Sequence, residues 1–250
     1  MQYNISELAR MIDHSLLHPT MTDKDLEDGV KVAIEYQTAS VCIKPYAVKK
    51  CAQWLKGTGV LVCTVIGFPH GSPTTANKIA ETREACENGA TEIDMVVNIG
   101  KVLSGDWDYV EDEIRRINAE TVKHGGILKV IFENDYLKDE HKIKLCKVCS
   151  SIPVAFVKTS TGYGYTKGED GRFSTKGATL EDCKLMLANV APGIQVKAAG
   201  GVRNLDDMIR MKDLGVTRIG ATATAVIIEE AKRRNGEAST AVTTADPSGY

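Results

Sequence analysis

Residues 87–100 read ENGATEIDMVVNIG, and this stretch indicates the fold. Asn88-Gly89 is a typical helix end, because glycine readily adopts the backbone conformation that terminates a helix. The segment that follows, EIDMVVNI (92–99), is an almost continuous apolar, β-branched run. Such runs are typical of strands buried on both faces of a parallel sheet. A helix that ends on glycine and leads into a buried strand is part of a repeating β/α pattern.

The same arrangement recurs along the chain, with glycine before an apolar run at His124-Gly125, Pro192-Gly193 and Leu214-Gly215. The eight apolar runs are MIDHSLL (11–17), ASVCI (39–43), VLVCTVIGF (60–68), EIDMVVNI (92–99), ILKVIFE (127–133), AFVKTS (155–160), IQVKAAG (194–200) and TRIGA (217–221). Eight β/α units of this length predict an α/β fold, a (β/α)8 TIM barrel with a short N-terminal helix. A doubly wound open sheet is the alternative, but no GxGxxG motif follows the first strand.

The domain organisation follows from where this pattern stops. We assign residues 1–235 to a single barrel domain and the small, polar segment 236–250 to a flexible C-terminal tail. A second irregular segment, the glycine-rich and charged residues 163–178, follows the sixth apolar run and is predicted to be a loop.

Composition and charge exclude several classes of protein. The chain has 250 residues and a formal net charge of −2, with 31 basic and 33 acidic residues interspersed, which argues against a nucleic-acid partner. The N-terminal segment has no apolar core of signal-peptide length, and no apolar run is long enough to span a membrane. We therefore expect a cytoplasmic protein with no membrane partner.

The seven cysteines are scattered and odd in number, so reduced thiols are expected. Cys146-Lys147-Val148-Cys149 matches a CxxC pattern, but it lies midway along a predicted amphipathic helix. We interpret it as structural.

Lysines late in three successive apolar runs are the main candidates for chemistry, because barrel active sites lie at the C-terminal ends of the strands. These lysines are Lys129, Lys158 and Lys197. Each could simply pair with Asp94 or Glu133, or reach the solvent at the rim. Crowding and a low dielectric would instead depress their pKa values, and a lysine shifted from about 10.4 toward about 7 has a free amine that can attack a carbonyl.

The resulting Schiff base withdraws electrons from the adjacent carbon–carbon bond, which is the chemistry of a metal-free aldolase. Asp94, inside an otherwise apolar run, is the candidate for proton relay. The small residues behind Lys158, including Thr159 and Gly162, leave room for a bound sugar.

Glycines after the last two predicted strands are candidates for binding phosphate. Gly200-Gly201 ends the seventh strand, and Gly220-Ala221-Thr222 ends the eighth. Barrels frequently build a phosphate site from these two loops, where exposed N–H groups and a helix N-terminus face the anion.

A metal site is the weaker interpretation. Asp13, His14 and His18 have ligand-like spacing, yet Pro19 and the Leu16-Leu17 pair disfavour a continuous helix there. No HExxH motif or other histidine–carboxylate cluster is visible, so we expect neither a metal nor another cofactor.

The chain resembles the deoxyribose-phosphate aldolase family of class I aldolases. The resemblance is carried, in order, by TASVCIKP (38–45), CTVIGFPHG (63–71), KIAETREACENGATEIDMVVNIG (78–100), LKVIFE (128–133), VKTSTG (157–162), GAT (177–179), VKAAGGVR (196–203) and RIGA (218–221). It implies a (β/α)8 barrel that cleaves 2-deoxy-D-ribose 5-phosphate to acetaldehyde and D-glyceraldehyde 3-phosphate.

The resemblance also implies roles for individual residues. Lys158 is the Schiff-base lysine, Lys197 the neighbour that lowers the pKa of Lys158, and Asp94 the proton-relay carboxylate. Asp13 and Cys42 match family positions near the pocket.

Several segments depart from the family pattern. The usual GASS is Gly220-Ala221-Thr222-Ala223, the ETG-like exit of the fifth strand is Glu133-Asn134-Asp135, and the segment 163–178 is unusually long. That segment could cover the site or make contacts in a homodimer or a higher homo-oligomer, which we expect. The chain ends in Tyr250, as some members end in a tyrosine thought to fold over the pocket; a disordered tail is the alternative.

Two other functions remain open from the sequence. One is a barrel isomerase or lyase that uses Asp94 as a base on a phosphorylated sugar, with the lysines purely electrostatic. The other is a catalytically silent sugar-phosphate-binding protein, suggested by the altered GASS segment.

Overall fold

Eight parallel strands close into a barrel in the computed structural model, which describes residues 2–168 and 170–240. The barrel strands are β1 (Ile12–Leu16), β2 (Ser40–Ile43), β3 (Leu61–Ile66), β4 (Glu92–Val96), β5 (Ile127–Ile131), β6 (Phe156–Lys158), β9 (Gln195–Ala199) and β10 (Arg218–Ala221). Each pairs in parallel with the next barrel strand along the chain, and β10 pairs with β1 to close the ring. The predicted TIM barrel is confirmed.

Helices alternate with these strands and surround them. They are α1 (Ile5–Arg10), α2 (Asp23–Tyr36), α3 (Val48–Trp54), α4 (Thr75–Glu87), α5 (Ile99–Leu103), α6 (Trp107–Lys123), α7 (Asp139–Ser151), α8 (Leu180–Asn189), α9 (Leu205–Leu214) and α10 (Thr224–Asn235). Short 3-10 turns occupy Pro45–Ala47 and Asn134–Tyr136. The predicted short N-terminal helix is α1, which packs on α10. None of the helices in the described ranges has the length and apolar composition of a membrane span.

Local sequence signals explain where the helices lie. Val110, Ile114 and Ile117 recur at helical spacing in α6 and are fully buried, and burying each such side chain stabilises the fold by about 1.5–3 kcal/mol. Thr179 caps α8 and Asn204 caps α9, each accepting a backbone N–H from the third residue of its helix. Each cap contributes about 1 kcal/mol.

The register of the strands determines which side chains meet. Lys158 on β6 lies beside Lys197 on β9, and Asp94 on β4 lies beside Lys129 on β5. Residues at one level of adjacent parallel strands point to the same side of the sheet. The register therefore directs these charged side chains into the barrel interior.

The segment 163–178 is more ordered than a loop. It contains a short antiparallel hairpin of β7 (Thr166–Lys167) and β8 (Phe173–Ser174). Two-residue strands carry too little periodicity to be predicted from sequence.

Two further predictions concern the CxxC pattern and the tail. Cys146 and Cys149 lie in α7 and are buried as free thiols, as the structural interpretation requires. Residues 241–250 of the predicted tail, including Tyr250, lie outside the described residues.

Candidate active site

The carboxylate of Asp94 is the meeting point of the three lysines. Its Oδ2 lies 2.8 Å from Lys158 Nζ and 2.7 Å from Lys197 Nζ, and its Oδ1 lies 2.8 Å from Lys129 Nζ. Asp94 is fully buried, and Lys158 and Lys197 are 3% and 1% exposed. The residues predicted to be catalytic thus lie within hydrogen-bonding distance of one another.

A second group of charges lies around this centre and holds it in place. Asp13 Oδ2 is 2.5 Å from Lys197 Nζ, and Asp13 Oδ1 is 2.5 Å from Arg218 Nη1. Glu92 accepts from the same Arg218 nitrogen at 2.9 Å and from Lys129 at 2.7 Å. Four buried or nearly buried cations therefore interlock with three carboxylates, which is the arrangement that makes buried charges tolerable.

The lysines differ in how many carboxylates they contact. Within the described part of the chain, Lys129 contacts three carboxylates, Lys197 contacts two, and Lys158 contacts Asp94 alone. Lys158 therefore has the fewest ionic contacts to give up when its nitrogen moves to another partner.

The carboxylates also determine the direction of the pKa shifts. Burial disfavours the charged forms of Lys129 and Lys197, but Asp13 and Asp94 outweigh it and raise the pKa of both ammonium groups. The expectation that crowding and burial depress these pKa values was wrong for both lysines, because it did not count the carboxylates. Burial also opposes ionisation of Asp94, yet the three lysines hold its pKa well below the usual range.

A cavity at the C-terminal end of the barrel opens above this cluster. Its walls include nine of the predicted site residues: Asp13, Cys42, Lys158, Gly162, Lys197, Gly200, Gly201, Gly220 and Thr222. Asp94 is not in the wall but lies directly behind it, bonded to the two lysines that are. The arrangement places an amine, a second cation and a carboxylate at one end of a cavity that has glycine-rich loops in its rim.

Thr159 does not fit the predicted substrate-binding role. It is fully buried and does not line the cavity. Its hydroxyl accepts the N–H of Ala199 and donates to the carbonyl of the same residue, both at 3.1 Å. It joins β6 to β9 below the surface of the site.

The cavity wall also contains residues that were missed from the sequence, among them Arg203 and Tyr163. Arg203 adds an exposed cation two residues after Gly201, and a basic residue so close to a glycine pair was a usable signal. Tyr163 also lines the cavity, and its ring packs edge-on against Phe68 with centroids 5.4 Å apart. The approach of these two rings depends on how separate loops fold together.

Arg218 and Glu92 were also missed. Each is the first residue of its strand, where side chains are expected near the opposite end of the barrel from the active site.

Glu133, at the exit of β5, is a buried carboxyl that predicts a pH effect on stability. Burial raises its pKa to about 6, although Thr161 opposes the shift by donating hydrogen bonds to the carboxylate. The folded state therefore binds this proton more tightly than the unfolded state, and the free energy of unfolding falls as pH rises from about 4.5 to about 6. For a shift of this size the fall is at most about 2 kcal/mol.

Glu133→Gln should remove this dependence. The free energy of unfolding of the variant, minus that of the wild type, should rise by up to about 2 kcal/mol between pH 4.5 and pH 7. Urea unfolding at several pH values measures it, and parallel pH profiles for the two proteins would contradict the assignment.

Cysteine and carboxylate side chains that could bind a metal ion lie in the barrel interior, around the ammonium group of Lys129. In the described ranges, two triads could in principle offer ligands, Cys42/Cys63/Asp94 and Asp13/Cys63/Glu92. Lys129 Nζ already contacts their shared member Cys63 at 3.1 Å, as well as all three carboxylates.

The two histidines considered as metal ligands, His14 and His18, have different surroundings. His14 contacts Thr224 at 2.8 Å and is buried, whereas His18 lines the cavity. That the site uses neither metal nor cofactor stays a prediction.

Comparison with known proteins identifies the family. The model of the DeoC/LacD family aldolases matches residues 8–228. The chain belongs to the DeoC/LacD aldolase family. The resemblance inferred from the sequence motifs is confirmed, and with it the assignment to the aldolases.

Alignments with individual relatives cover almost the whole chain. A deoxyribose-phosphate aldolase from Rhodopirellula baltica is 49% identical over 248 residues, covering 99% of each chain. One from Caldanaerobacter subterraneus is 44% identical and covers 92% of this chain and 96% of its own. Among solved structures, the tetrameric deoxyribose phosphate aldolase from Aeropyrum pernix superposes with a TM-score of 0.81 at 29% identity, covering 92% of each chain.

Proposed function

We propose that this chain is a Schiff-base aldolase that reversibly cleaves 2-deoxy-D-ribose 5-phosphate to acetaldehyde and D-glyceraldehyde 3-phosphate, in the catabolism of deoxyribonucleosides and deoxyribonucleotides. The observation that carries the proposal is the shared contact of Lys158 and Lys197 with Asp94 Oδ2 behind the wall of the cavity. An amine paired with a proton-carrying neighbour is what imine chemistry requires.

The reaction begins when Lys158 gives up its proton to water and its neutral amine attacks the C1 aldehyde carbon of the open-chain sugar. Loss of water from the carbinolamine leaves a protonated imine. The C3 hydroxyl then loses its proton to water, the C2–C3 bond breaks, and the electron pair of that bond moves toward the imine to give an enamine. D-Glyceraldehyde 3-phosphate departs. Protonation of the enamine at C2 and hydrolysis of the new imine release acetaldehyde and regenerate Lys158.

Asp94 and Lys197 form the proposed proton relay. The lysines hold Asp94 ionised, so it can accept the hydrogen bonds that orient both ammonium groups. Lys197 is kept charged by Asp13 and Asp94, and its position beside Lys158 lets it donate a proton to the departing hydroxyl of the carbinolamine. Every proton in this scheme moves between protein side chains, substrate and water, so the scheme requires no metal or other cofactor.

The proposed phosphate site is the rim formed by the loops after β9 and β10. Gly200, Gly201, Gly220 and Thr222 line it, and Arg203 adds a cation. Helix α10 begins at Thr224 with no side-chain cap from Ala223, which leaves its first N–H groups open to an anion. The absence of a serine at position 223 is therefore compatible with phosphate binding.

Assembly and location stay predictions. A tetramer is described for the Aeropyrum pernix relative, which supports the expected homo-oligomer without specifying a dimer or a tetramer. The cytoplasmic location and the lack of a nucleic-acid partner rest on the sequence alone.

Release of acetaldehyde from 2-deoxy-D-ribose 5-phosphate by the purified wild-type protein tests the proposal. We expect turnover that is unchanged by EDTA and that stops when borohydride is added with substrate, as a reduced imine forms. Turnover without an adduct would favour an isomerase or lyase that uses Asp94 as a base. Binding of a sugar phosphate without turnover would favour a silent binding protein.

A further inference from the structure

Two segments that depart from the family pattern are in direct contact. One is Glu133-Asn134-Asp135, at the exit of β5, where Asp135 makes the contact. The other is the C-terminal end of the hairpin segment 163–178. Asp135 Oδ2 accepts the N–H of Lys176 at 2.7 Å, and its Oδ1 accepts the N–H of Gly177 at 3.1 Å. Hydrogen bonds from backbone amides to a carboxylate are charge-assisted and stronger than those between neutral groups. Asp135 therefore anchors this end of the segment to the barrel.

The anchored residues in turn lie against the proposed phosphate loop. Ala178 donates its N–H to the carbonyl oxygen of Gly200 at 2.9 Å. Gly177 packs so closely that a Cβ placed on it would lie 2.5 Å from that oxygen. Position 177 thus requires glycine, because any side chain there would collide with the Gly200 carbonyl.

The contact on Gly200 controls the direction of the next amide. The carbonyl of Gly200 and the N–H of Gly201 belong to one peptide plane and point in opposite directions across a trans bond. Gly200 and Gly201 have φ values of 88° and 87°, and a glycine pair left untethered would sample many other conformations. The hydrogen bond from Ala178 therefore selects one orientation for the Gly201 N–H, at a position that lines the cavity.

The other end of the hairpin segment is held by the same turn after β5. Glu133 accepts the N–H of Thr161 at 3.2 Å, and Tyr165 donates its N–H to the Tyr136 hydroxyl at 2.9 Å. Both ends of the segment are thus attached to residues 133–136, so displacement of Asp135 releases the end that contacts Gly200 while the other attachments persist.

We propose that Asp135 is a positioning residue for the substrate phosphate: it holds residues 176–178 against Gly200, so that the Gly200-Gly201 peptide is oriented for the anion before the substrate binds. The proposal rests on the proposed function, in which this loop receives the phosphate of the sugar. Pre-ordering of a binding loop improves affinity, because the loop then loses less conformational entropy when the ligand binds. Asp135 thereby affects phosphate recognition without touching the reacting atoms.

The test compares Asp135→Ala and wild type on 2-deoxy-D-ribose 5-phosphate and on 2-deoxy-D-ribose, which has no phosphate. Loss of the two amide contacts should raise KM for the phosphorylated sugar about tenfold while kcat stays within about twofold. For the unphosphorylated sugar, kcat/KM should stay within about twofold of wild type. Asp135→Asn keeps one acceptor oxygen and should give an intermediate KM, which also covers the case in which the alanine variant does not fold.

Asp170→Ala is the matched control. Asp170 accepts the N–H of Arg172 at 3.0 Å in the same hairpin segment, away from Gly200, so its loss should leave both substrates unaffected. Equal losses on both sugars in the Asp135 variants, or an unchanged KM for the phosphorylated sugar, would overturn the proposal.

A second measurement separates this proposal from the proposed reaction. Inorganic phosphate should raise the Tm of the wild-type protein and of Asp170→Ala, and raise it much less in Asp135→Ala. This result would support the positioning role even if the wild type cleaved neither sugar. An equal phosphate-induced shift in all three proteins, or no shift in the wild type, would overturn it.

Discussion

Lys158→Ala is expected to abolish both cleavage of 2-deoxy-D-ribose 5-phosphate and covalent trapping by borohydride. In the proposed reaction this amine forms the bond to the substrate, and no other group can take its place. Lys197 is held by Asp13 and Asp94 at 2.5 and 2.7 Å, and Lys129 does not line the cavity. Loss of a covalent nucleophile typically leaves only the residual rate provided by binding and electrostatics.

Intact-protein mass spectrometry after reduction with borohydride measures the effect. Wild type incubated with acetaldehyde should gain one N-ethyl group, a net addition of C2H4, and peptide mapping should locate it on Lys158. Lys144→Ala, which removes an exposed lysine of α7, is the control and should label as wild type does. An adduct that persists in Lys158→Ala would assign the Schiff base to another lysine.

Lys197→Met is expected to have the second-largest effect, a loss of about 10³-fold in kcat/KM at neutral pH. The substitution removes the cation beside Lys158 and the proton donor of the proposed relay, and it leaves Asp94 with one ionic contact fewer. A buried charge pair that loses one partner costs about 3–5 kcal/mol, which corresponds to about 10²–10⁴ in rate where the contact acts in the reaction. The ascending limb of the pH–rate profile should also move to higher pH.

Lys129→Met separates this effect from a general loss of stability. It removes another buried ammonium group that contacts Asp13 and Asp94, but one that does not line the cavity. Both variants should have a lowered Tm, whereas the rate should fall further in Lys197→Met. Equal rates for the two variants, or an unshifted pH profile in Lys197→Met, would mean that Lys197 serves only to neutralise the carboxylates.

The sequence was sufficient for the fold because its signals are local. Each barrel strand lies within an apolar run, and each helix carries its own apolar periodicity, cap or terminal glycine. The β7–β8 hairpin escaped prediction for the same reason, since two residues per strand leave no periodic signal. The site was predicted where polar residues interrupt apolar runs, as at Asp94, Lys158 and Lys197, and was missed where residues such as Arg218 lie at the start of a strand.

Physical properties of the site depend on distances that no local pattern contains. Thr159 looked like a substrate contact beside Lys158, but the approach of β9 engages its hydroxyl with Ala199. The pKa values of Lys129 and Lys197 rise because barrel closure brings Asp13 and Asp94 to both of them. Burial alone would have lowered them.

By itself, the sequence predicted a (β/α)8 barrel, a resemblance to the deoxyribose-phosphate aldolases, and Lys158, Asp94 and Lys197 as the catalytic residues, because strand, helix and motif signals each lie within a few consecutive residues. Only the tertiary structure decided that Asp94 bridges Lys158 and Lys197, and that Asp135 holds the chain end that contacts Gly200. Both outcomes are set by strand register and loop packing. Strand register and loop packing bring together residues that are far apart in the chain. The resulting interatomic distances lie in the range where electrostatic and hydrogen-bond energies change steeply.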